Sequence, residues 1–244
     1  MYRRAVVLAG GRGTRLLPYT VVLPKPLMPI GEYPILEVII RQLAYYKFNH
    51  VTLAVNHQAE LIKTFFGNGD RWGIHIDYSL ENKPLSTMGP LKLINELPDD
   101  FLIMNGDILT DLDYNTFFNQ HLARKSIFTI SAHQREQISE YGVLEIDDTN
   151  RLYGFKEKPV TKHDVSMGIY VANKRILEYI PKGQLYGFDH LMIDLISGGN
   201  PAYVERFNGY WLDIGRPDDY INAIEKFESL KDRFLPENES VRRG

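Results

Sequence analysis

At 244 residues, with 44% hydrophobic and 24% charged side chains, the chain has enough apolar material for the core of one soluble α/β domain. Its formal net charge of -3 offers no basic footprint for nucleic acid, and the absence of cysteine excludes disulfides, thiolate zinc sites and a thiol nucleophile. No apolar run reaches the roughly 18 residues of a membrane-spanning helix, and Met1 to Ala9 holds no signal-peptide core, so no membrane partner and a cytoplasmic location are expected.

In chain order, Ala5 to Ala9 is an apolar run ending in glycines, which predicts a buried first strand feeding a loop. Ile35, Ile39, Leu43 and Tyr46 recur at helical spacing, and Val51 to Val55 reads as the next strand, completing one β-α-β unit. A second helix, marked by Leu61, Ile62, Phe65 and Phe66, stops at Gly67-Asn68-Gly69-Asp70, and Ile74 to Tyr78 follows as a strand. Such alternation predicts a parallel sheet with helices on both faces. Phe101 to Met104 is a further strand bounded by Asn105-Gly106-Asp107, and a helix follows from Tyr114 to Leu122, with Asp111 and Asp113 as its expected caps. Gly11 and Asp107 would then both lie beyond the carboxyl ends of strands, where open α/β sheets bind ligands.

Beyond Ser126 the pattern becomes strand-rich, with runs at Ile127 to Ala132, Tyr141 to Ile146, Leu152 to Phe155 and Val165 to Ala172, and a turn at Asp147-Asp148-Thr149-Asn150. Pro217, followed by Asp218 and Asp219, opens a closing helix through Tyr220, Ile224, Phe227 and Leu230. No repeat or Pro/Gly/Ser-rich linker divides the chain. We expect a single domain over 1–235, with halves 1–125 and 126–235, and a flexible polar tail at 236–244.

Gly10, Gly11 and Gly13 allow backbone N–H groups to approach a phosphate chain closely, and Arg15 adds a planar fork of donors suited to phosphate oxygens. A Gly-rich turn alone could equally be a tight turn. It is not a P-loop, since no Gly-Lys-Ser/Thr follows, and Leu16 stands where a dinucleotide fingerprint has its third glycine. The seven histidines show no metal-ligand spacing.

The stretch Leu8-Ala9-Gly10-Gly11-Arg12-Gly13-Thr14-Arg15-Leu16, with Leu23-Pro24-Lys25-Pro26-Leu27-Met28-Pro29, closely resembles the signature of the sugar-1-phosphate nucleotidyltransferases. The resemblance continues through Pro84-Leu85-Ser86-Thr87-Met88-Gly89-Pro90, Asn105-Gly106-Asp107, Tyr141-Gly142-Val143, Glu157-Lys158-Pro159 and Trp211-Leu212-Asp213-Ile214-Gly215. It is strongest toward the catalytic domains of the mannose-1-phosphate guanylyltransferase branch. It implies a Rossmann-like α/β fold, a mostly parallel mixed sheet flanked by helices, with a nucleotide-binding first half and a β-rich, sugar-phosphate-binding second half.

The resemblance also implies a set of roles. Arg15, Lys25, Asp107 and Asp213 would be catalytic, with Asp107 and Asp213 holding Mg²⁺, a hard cation that a small number of hard oxygen ligands suits. The nucleotide would be bound by Leu8, Ala9, Gly10, Gly11, Gly13, Thr14, Arg15, Lys25, Glu81, Thr87, Gly89 and Asp107. The sugar phosphate would meet Asn105, Tyr141, Gly142, Glu157, Lys158, Ser166 and Gly168. Glu81 stands where uridylyl and thymidylyl relatives often carry a base-reading amide; a carboxylate there can accept from both N1–H and the amine of guanine, which leans toward GTP. Two departures stand out: Ser86 replaces the usual glycine of the base loop, and Val165-Ser166-Met167-Gly168 replaces Asn-Ala-Gly or Asn-Thr-Gly. The expected partners are a nucleoside triphosphate and a sugar 1-phosphate, with a homo-oligomer also in view. The alternatives are a UTP- or dTTP-dependent glucose-1-phosphate transferase, a heptose 1-phosphate guanylyltransferase and a non-catalytic nucleotide-sugar sensor.

Overall fold

The computed structural model describes residues 2–11, 13–56 and 58–236; of the expected tail at 236–244, everything after Pro236 lies outside the described residues. Among these, a seven-stranded sheet forms the centre: β1 (Arg4–Leu8), β2 (His50–Val55), β3 (His75–Leu80), β4 (Asp100–Asn105), β5 (Phe128–Ile138), β6 (Val160–Asn173) and β7 (Tyr203–Arg206). Their spatial order is β7-β5-β6-β4-β1-β2-β3. The run β4-β1-β2-β3 is parallel, β6 is antiparallel to both its neighbours, and β7 is parallel to β5. This is the mostly parallel mixed sheet that the motifs implied.

The helices are α1 (Ile35–Tyr45), α2 (Ala59–Phe66), α3 (Tyr114–Arg124), α4 (Phe188–Ser197) and α5 (Pro217–Phe234). Side chains alternate across a strand, so Ala5 and Val7 of β1 enter one core while Val6 enters the other. The first core takes the apolar faces of α1, α2, α3 and α5, and the second takes α4 with Met88, Leu91 and Ile94. A strand covered on both sides has no use for polar alternation, which is why Ala5 to Leu8 reads as a continuous apolar run.

Two buried polar contacts fix the ground beneath the ligand end of the sheet. Gln42 of α1 donates to the Thr110 carbonyl (2.7 Å) and accepts from the Tyr114 hydroxyl (3.0 Å). Thr110 ends the short strand Ile108–Thr110, which pairs antiparallel with Trp211–Asp213. Helix α1 thereby holds the segment that follows Asp107.

The structure departs from expectation at several points. Strand β1 begins one residue early, at Arg4, whose buried guanidinium donates to Thr52 Oγ1 (2.8 Å) and Asp77 Oδ2 (2.9 Å). Strands β5 and β6 run well past their predicted ends, pairing as far as Ile138 with Val160, both of them exposed. Asp113 caps α3 by accepting from Asn115 and Thr116 N–H (both 2.9 Å), whereas Asp111 does not; it accepts from Tyr210 N–H (2.7 Å) and pairs with Arg233.

His121 of α3 is buried against β5 and β4, with Nδ1 2.8 Å from Thr129 Oγ1 and Nε2 3.2 Å from Asp100 Oδ1. Burial lowers its pKa, partly opposed by Asp100, and burial together with Arg4 lowers that of His50. Each ring takes up its proton at a lower pH in the fold than in the unfolded chain, where histidine titrates near about 6.5. Stability is therefore complete above that value and falls as pH drops through it. We expect the melting temperature to decline between about pH 7 and pH 5, with His121→Asn flattening the slope; an unaltered slope would show that His121 protonates as readily folded as unfolded.

Candidate active site

A cleft of about 290 Å³ opens at the carboxyl ends of β1, β2 and β4, lined by Leu8, Ala9, Gly10, Gly11, Lys25, Pro26, Ala54, Glu81, Ser86, Thr87, Pro90, Asn105, Gly106 and Asp107. Its floor follows from strand register: Leu8 stands opposite both Ala54 and Asn105. As β1 ends, Ala9 N–H donates to the Ala54 carbonyl (2.8 Å) and Gly106 N–H to the Leu8 carbonyl (2.9 Å), which keeps the two exits close together.

Lys25 opens a short helical turn, Lys25–Leu27, between two prolines that stiffen its backbone. The residue is only 7% exposed, and its side chain forms an ion pair with Asp107 Oδ2. The other oxygen, Asp107 Oδ1, is buried without a hydrogen-bond partner. The carbonyl of Asp107 accepts from Ile214 N–H (3.0 Å), and Ile108 pairs with Asp213, so the second carboxylate arrives beside the first. Burial raises the Asp213 pKa, and the charge of Asp107 adds to it; Lys25 and Arg15 pull it back, and Asp219 adds a smaller upward push.

Arg15, Asp213 and Asp219 converge over Gly215. A Cβ on that glycine would stand 3.7 Å from each of Arg15 Nη2, Asp213 Oδ2 and Asp219 Oδ2. The structure thus gathers Arg15, Lys25, Asp107 and Asp213 into one charged cluster. Asp219 was not singled out as a site residue because its place in the first turn of α5 already accounts for an acid, and it does accept from Arg216 N–H (2.9 Å). Gly13 precedes Arg15 in a left-handed conformation (φ 62°) and, with the exposed Thr14, lies outside the cleft lining.

On the far wall, Glu81 follows β3, and its Oε1 accepts from Leu85 N–H (2.7 Å). Burial raises the Glu81 pKa, and the Leu85 N–H acts against it. Thr87 Oγ1 accepts from Phe188 N–H (2.8 Å), while Gly89 lies behind the lining, its N–H given to the Tyr186 carbonyl (2.9 Å). Sequence reasoning missed Pro26, Ala54, Pro90 and Gly106 as lining residues. Ala54 carried a usable signal, since it lies near the carboxyl end of a predicted strand.

The acceptor candidates divide into two groups. Ser166 and Gly168 sit where the register of β6 against β5 shifts, and Gly168 packs directly against Asn105. Gly168 N–H donates to Ser166 Oγ (3.2 Å), which is 3.0 Å from the Tyr170 hydroxyl. Tyr141, Gly142, Glu157 and Lys158 flank the exposed hairpin Val143–Ile146 and Leu152–Lys156, and none of them lines the cleft. Gly142 and Glu157 are neighbours: a Cβ on Gly142 would be 3.1 Å from Glu157 Oε2.

The family model for "Nucleotidyl transferase" matches residues 4–229. The chain belongs to that family. It is 35% identical over 241 residues to the UTP–glucose-1-phosphate uridylyltransferase of Synechocystis, covering 91% of this chain and 62% of that protein. It is 31% identical over 242 residues to the mannose-1-phosphate guanyltransferase of Yarrowia lipolytica, covering 96% of this chain and 66% of the relative, so the chain spans about two-thirds of both. The crystal structure of HddC from Yersinia pseudotuberculosis complexed with GMP-PN superposes with a TM-score of 0.71 at 28% identity, over 93% of this chain and 100% of that one.

Gly168 has a left-handed φ of 73°, and an added Cβ would fall 2.6 Å from Asn105 Nδ2 and 3.0 Å from Ile108 Cδ1. Gly168→Ala is expected to cost about 1–3 kcal/mol in urea unfolding through strain and overpacking. A change below about 0.5 kcal/mol would mean that this bend is not fixed against Asn105.

Proposed function

We propose that this chain joins a nucleoside triphosphate to a sugar 1-phosphate and releases pyrophosphate, with GTP and mannose 1-phosphate, or a related hexose or heptose 1-phosphate, as the pair. The observation that carries the reading is the convergence of Arg15 and Asp213 on Lys25 and Asp107, two residues that line the cleft. Family membership supports nucleotidyl transfer, and the guanyltransferase relative and the GMP-PN complex support guanine.

The donor set suits Mg²⁺: Asp107 offers a buried oxygen with no partner, Asp213 stands beside it, and both are hard oxygen ligands. Among the described residues no group of three or more His, Cys, Asp or Glu gathers, so the protein would supply these two carboxylates and the substrates the remaining ligands. Held there, the ion would neutralise charge on the α-phosphate.

The acceptor is a phosphate monoester with a second pKa of about 6, so it is mostly dianionic near neutral pH and requires no general base. Its oxygen attacks the α-phosphorus in line, the bond to the bridging oxygen of the β-phosphate breaks, and pyrophosphate leaves with the electron pair. Lys25, fixed at the cleft wall, and Arg15, beside Asp213, supply positive charge to the transferring group. Gly10 and Gly11 line the cleft and let the triphosphate approach the backbone, with Leu8 and Ala9 beneath and Gly13 and Thr14 beyond. Glu81 retains one oxygen for the base after bonding Leu85. Asn105, Ser166 and Gly168 bound the acceptor side, and Tyr141, Gly142, Glu157 and Lys158 of the neighbouring hairpin complete it, Lys158 meeting the sugar's phosphate.

A second reading, UTP with glucose 1-phosphate, is favoured by the 35% identity to the Synechocystis uridylyltransferase. Pyrophosphate release across GTP, UTP, dTTP and ATP against mannose, glucose, glucosamine and heptose 1-phosphates separates the two. The expected maximum is GTP with mannose 1-phosphate. A maximum with UTP and glucose 1-phosphate supports the second reading, and no release from any pair contradicts nucleotidyl transfer.

A further inference from the structure

Tyr220 stands in the first turn of α5, the helix that begins just after Asp213-Ile214-Gly215, and it is buried. Its backbone is fixed at the helix start: Tyr220 N–H donates to the Arg216 carbonyl (3.1 Å), and Asp219 Oδ2 accepts from Arg216 N–H (2.9 Å). The side chain leaves the helix and reaches the segment from Gly13 to Pro29 at two places. Its hydroxyl donates to the Pro29 carbonyl (2.6 Å), and its ring packs edge-on against that of Tyr19, with centroids 5.6 Å apart.

Each contact falls one short turn away from a cation of the site. Tyr19 N–H donates to the Leu16 carbonyl (2.9 Å) and Leu16 N–H to the Gly13 carbonyl (2.8 Å), so Tyr19 is tied to the turn that carries Arg15. Met28 N–H donates to the Lys25 carbonyl (3.0 Å), so Pro29 directly follows the turn that carries Lys25. Just beyond, Gly31 (φ 55°) lies against α5, where a Cβ would fall 2.8 Å from Phe227 Cδ1. The contacts close a circuit. Lys25 pairs with Asp107, the Asp107 carbonyl accepts from Ile214 N–H (3.0 Å), α5 follows Gly215, and Tyr220 returns to Pro29.

We propose that Tyr220 is a positioning residue for nucleotidyl transfer: it sets the places of Arg15 and Lys25 relative to Asp213 before the substrates arrive. The proposal rests on the reading of the cleft as a nucleotidyltransferase site. Asp107 and Asp213 draw the two cations inward in the free protein, whereas a bound triphosphate draws them toward its own oxygens. Anchoring the main chain beside each cation keeps both charges placed for the transferring group instead of following either pull. Burial raises the Tyr220 pKa and Tyr19 adds to the rise, so the hydroxyl remains a donor through the neutral range. A misplacement of about 1 Å can slow a reaction about a hundredfold, so a single hydroxyl of small worth to the fold has a larger effect on rate.

Tyr220→Phe keeps the ring against Tyr19 and removes only the bond to Pro29; its assay is pyrophosphate release with the triphosphate and sugar 1-phosphate that the wild type uses best. We expect kcat to fall about tenfold while the KM for the triphosphate stays within about twofold, the pattern of an interaction realised in the transition state. The melting temperature should fall by about 2–4 °C. Phe118→Leu, in α3 and packed on Phe48, is the stability control: its melting temperature should fall at least as far with kcat unchanged. A wild-type kcat in Tyr220→Phe, or a loss of kcat that Phe118→Leu reproduces, assigns Tyr220 to stability alone and overturns the proposal while the transferase reading stands. No turnover of any pair by the wild type overturns both.

Discussion

Asp107 and Asp213 are side by side because the backbone leaves them no alternative, and the remainder of the site is arranged around that repulsion. The Ile214 N–H to Asp107 carbonyl bond and the pairing of Ile108–Thr110 with Trp211–Asp213 join segments about a hundred residues apart. Burial raises the Asp213 pKa most, and the Asp107 carboxylate that main-chain geometry brings beside it adds to that rise. Lys25 and Arg15 oppose that effect, and a buried oxygen of Asp107 still has no partner. Structure of this kind is suited to a ligand that carries its own compensating charges.

The sheet turns this local arrangement into a usable site. Parallel strands β1, β2, β3 and β4 end on one side of the sheet, so the glycine loop, Ala54, Glu81 and Asp107 leave from adjacent points. Two cores, one on each face, make the strands rigid, and the Gln42 bridge between the Thr110 carbonyl and Tyr114 extends that rigidity to the strand after Asp107. The antiparallel β6 brings Gly168 against Asn105 at the end of β4. The hairpin carrying the approach to Glu157 and Lys158 lies outside both cores, with Leu144, Tyr153 and Phe155 exposed.

Legibility in the sequence followed burial. The central strands and α1 could be read because burial on one or both faces imposes a continuous or periodic apolar pattern. Arg4 hid the start of β1, since a guanidinium satisfied by Asp77 and Thr52 looks like a surface residue in a one-dimensional pattern. The extensions of β5 and β6 carry no burial signal, and β7 is an edge strand with Tyr203 and Val204 half exposed. Asp111 and Asp113 are alike in type and near the same helix; only the fold separates the cap from the partner of Arg233. Within the cleft, Lys25, Glu81, Asn105 and Asp107 were legible from motifs, but the left-handed backbone of Ser86 and the convergence of Asp219 with Arg15 depend on contacts distant in sequence.

On the proposed function, the paired carboxylates are the working centre of a nucleotidyl transfer. Its most direct test is pyrophosphate release from GTP and mannose 1-phosphate with Mg²⁺, measured for the wild type, Asp107→Asn and Asp213→Asn, with circular dichroism reporting on the fold. Each folded variant is expected to lose activity by about a hundredfold or more. Near-native rates in both variants would contradict it.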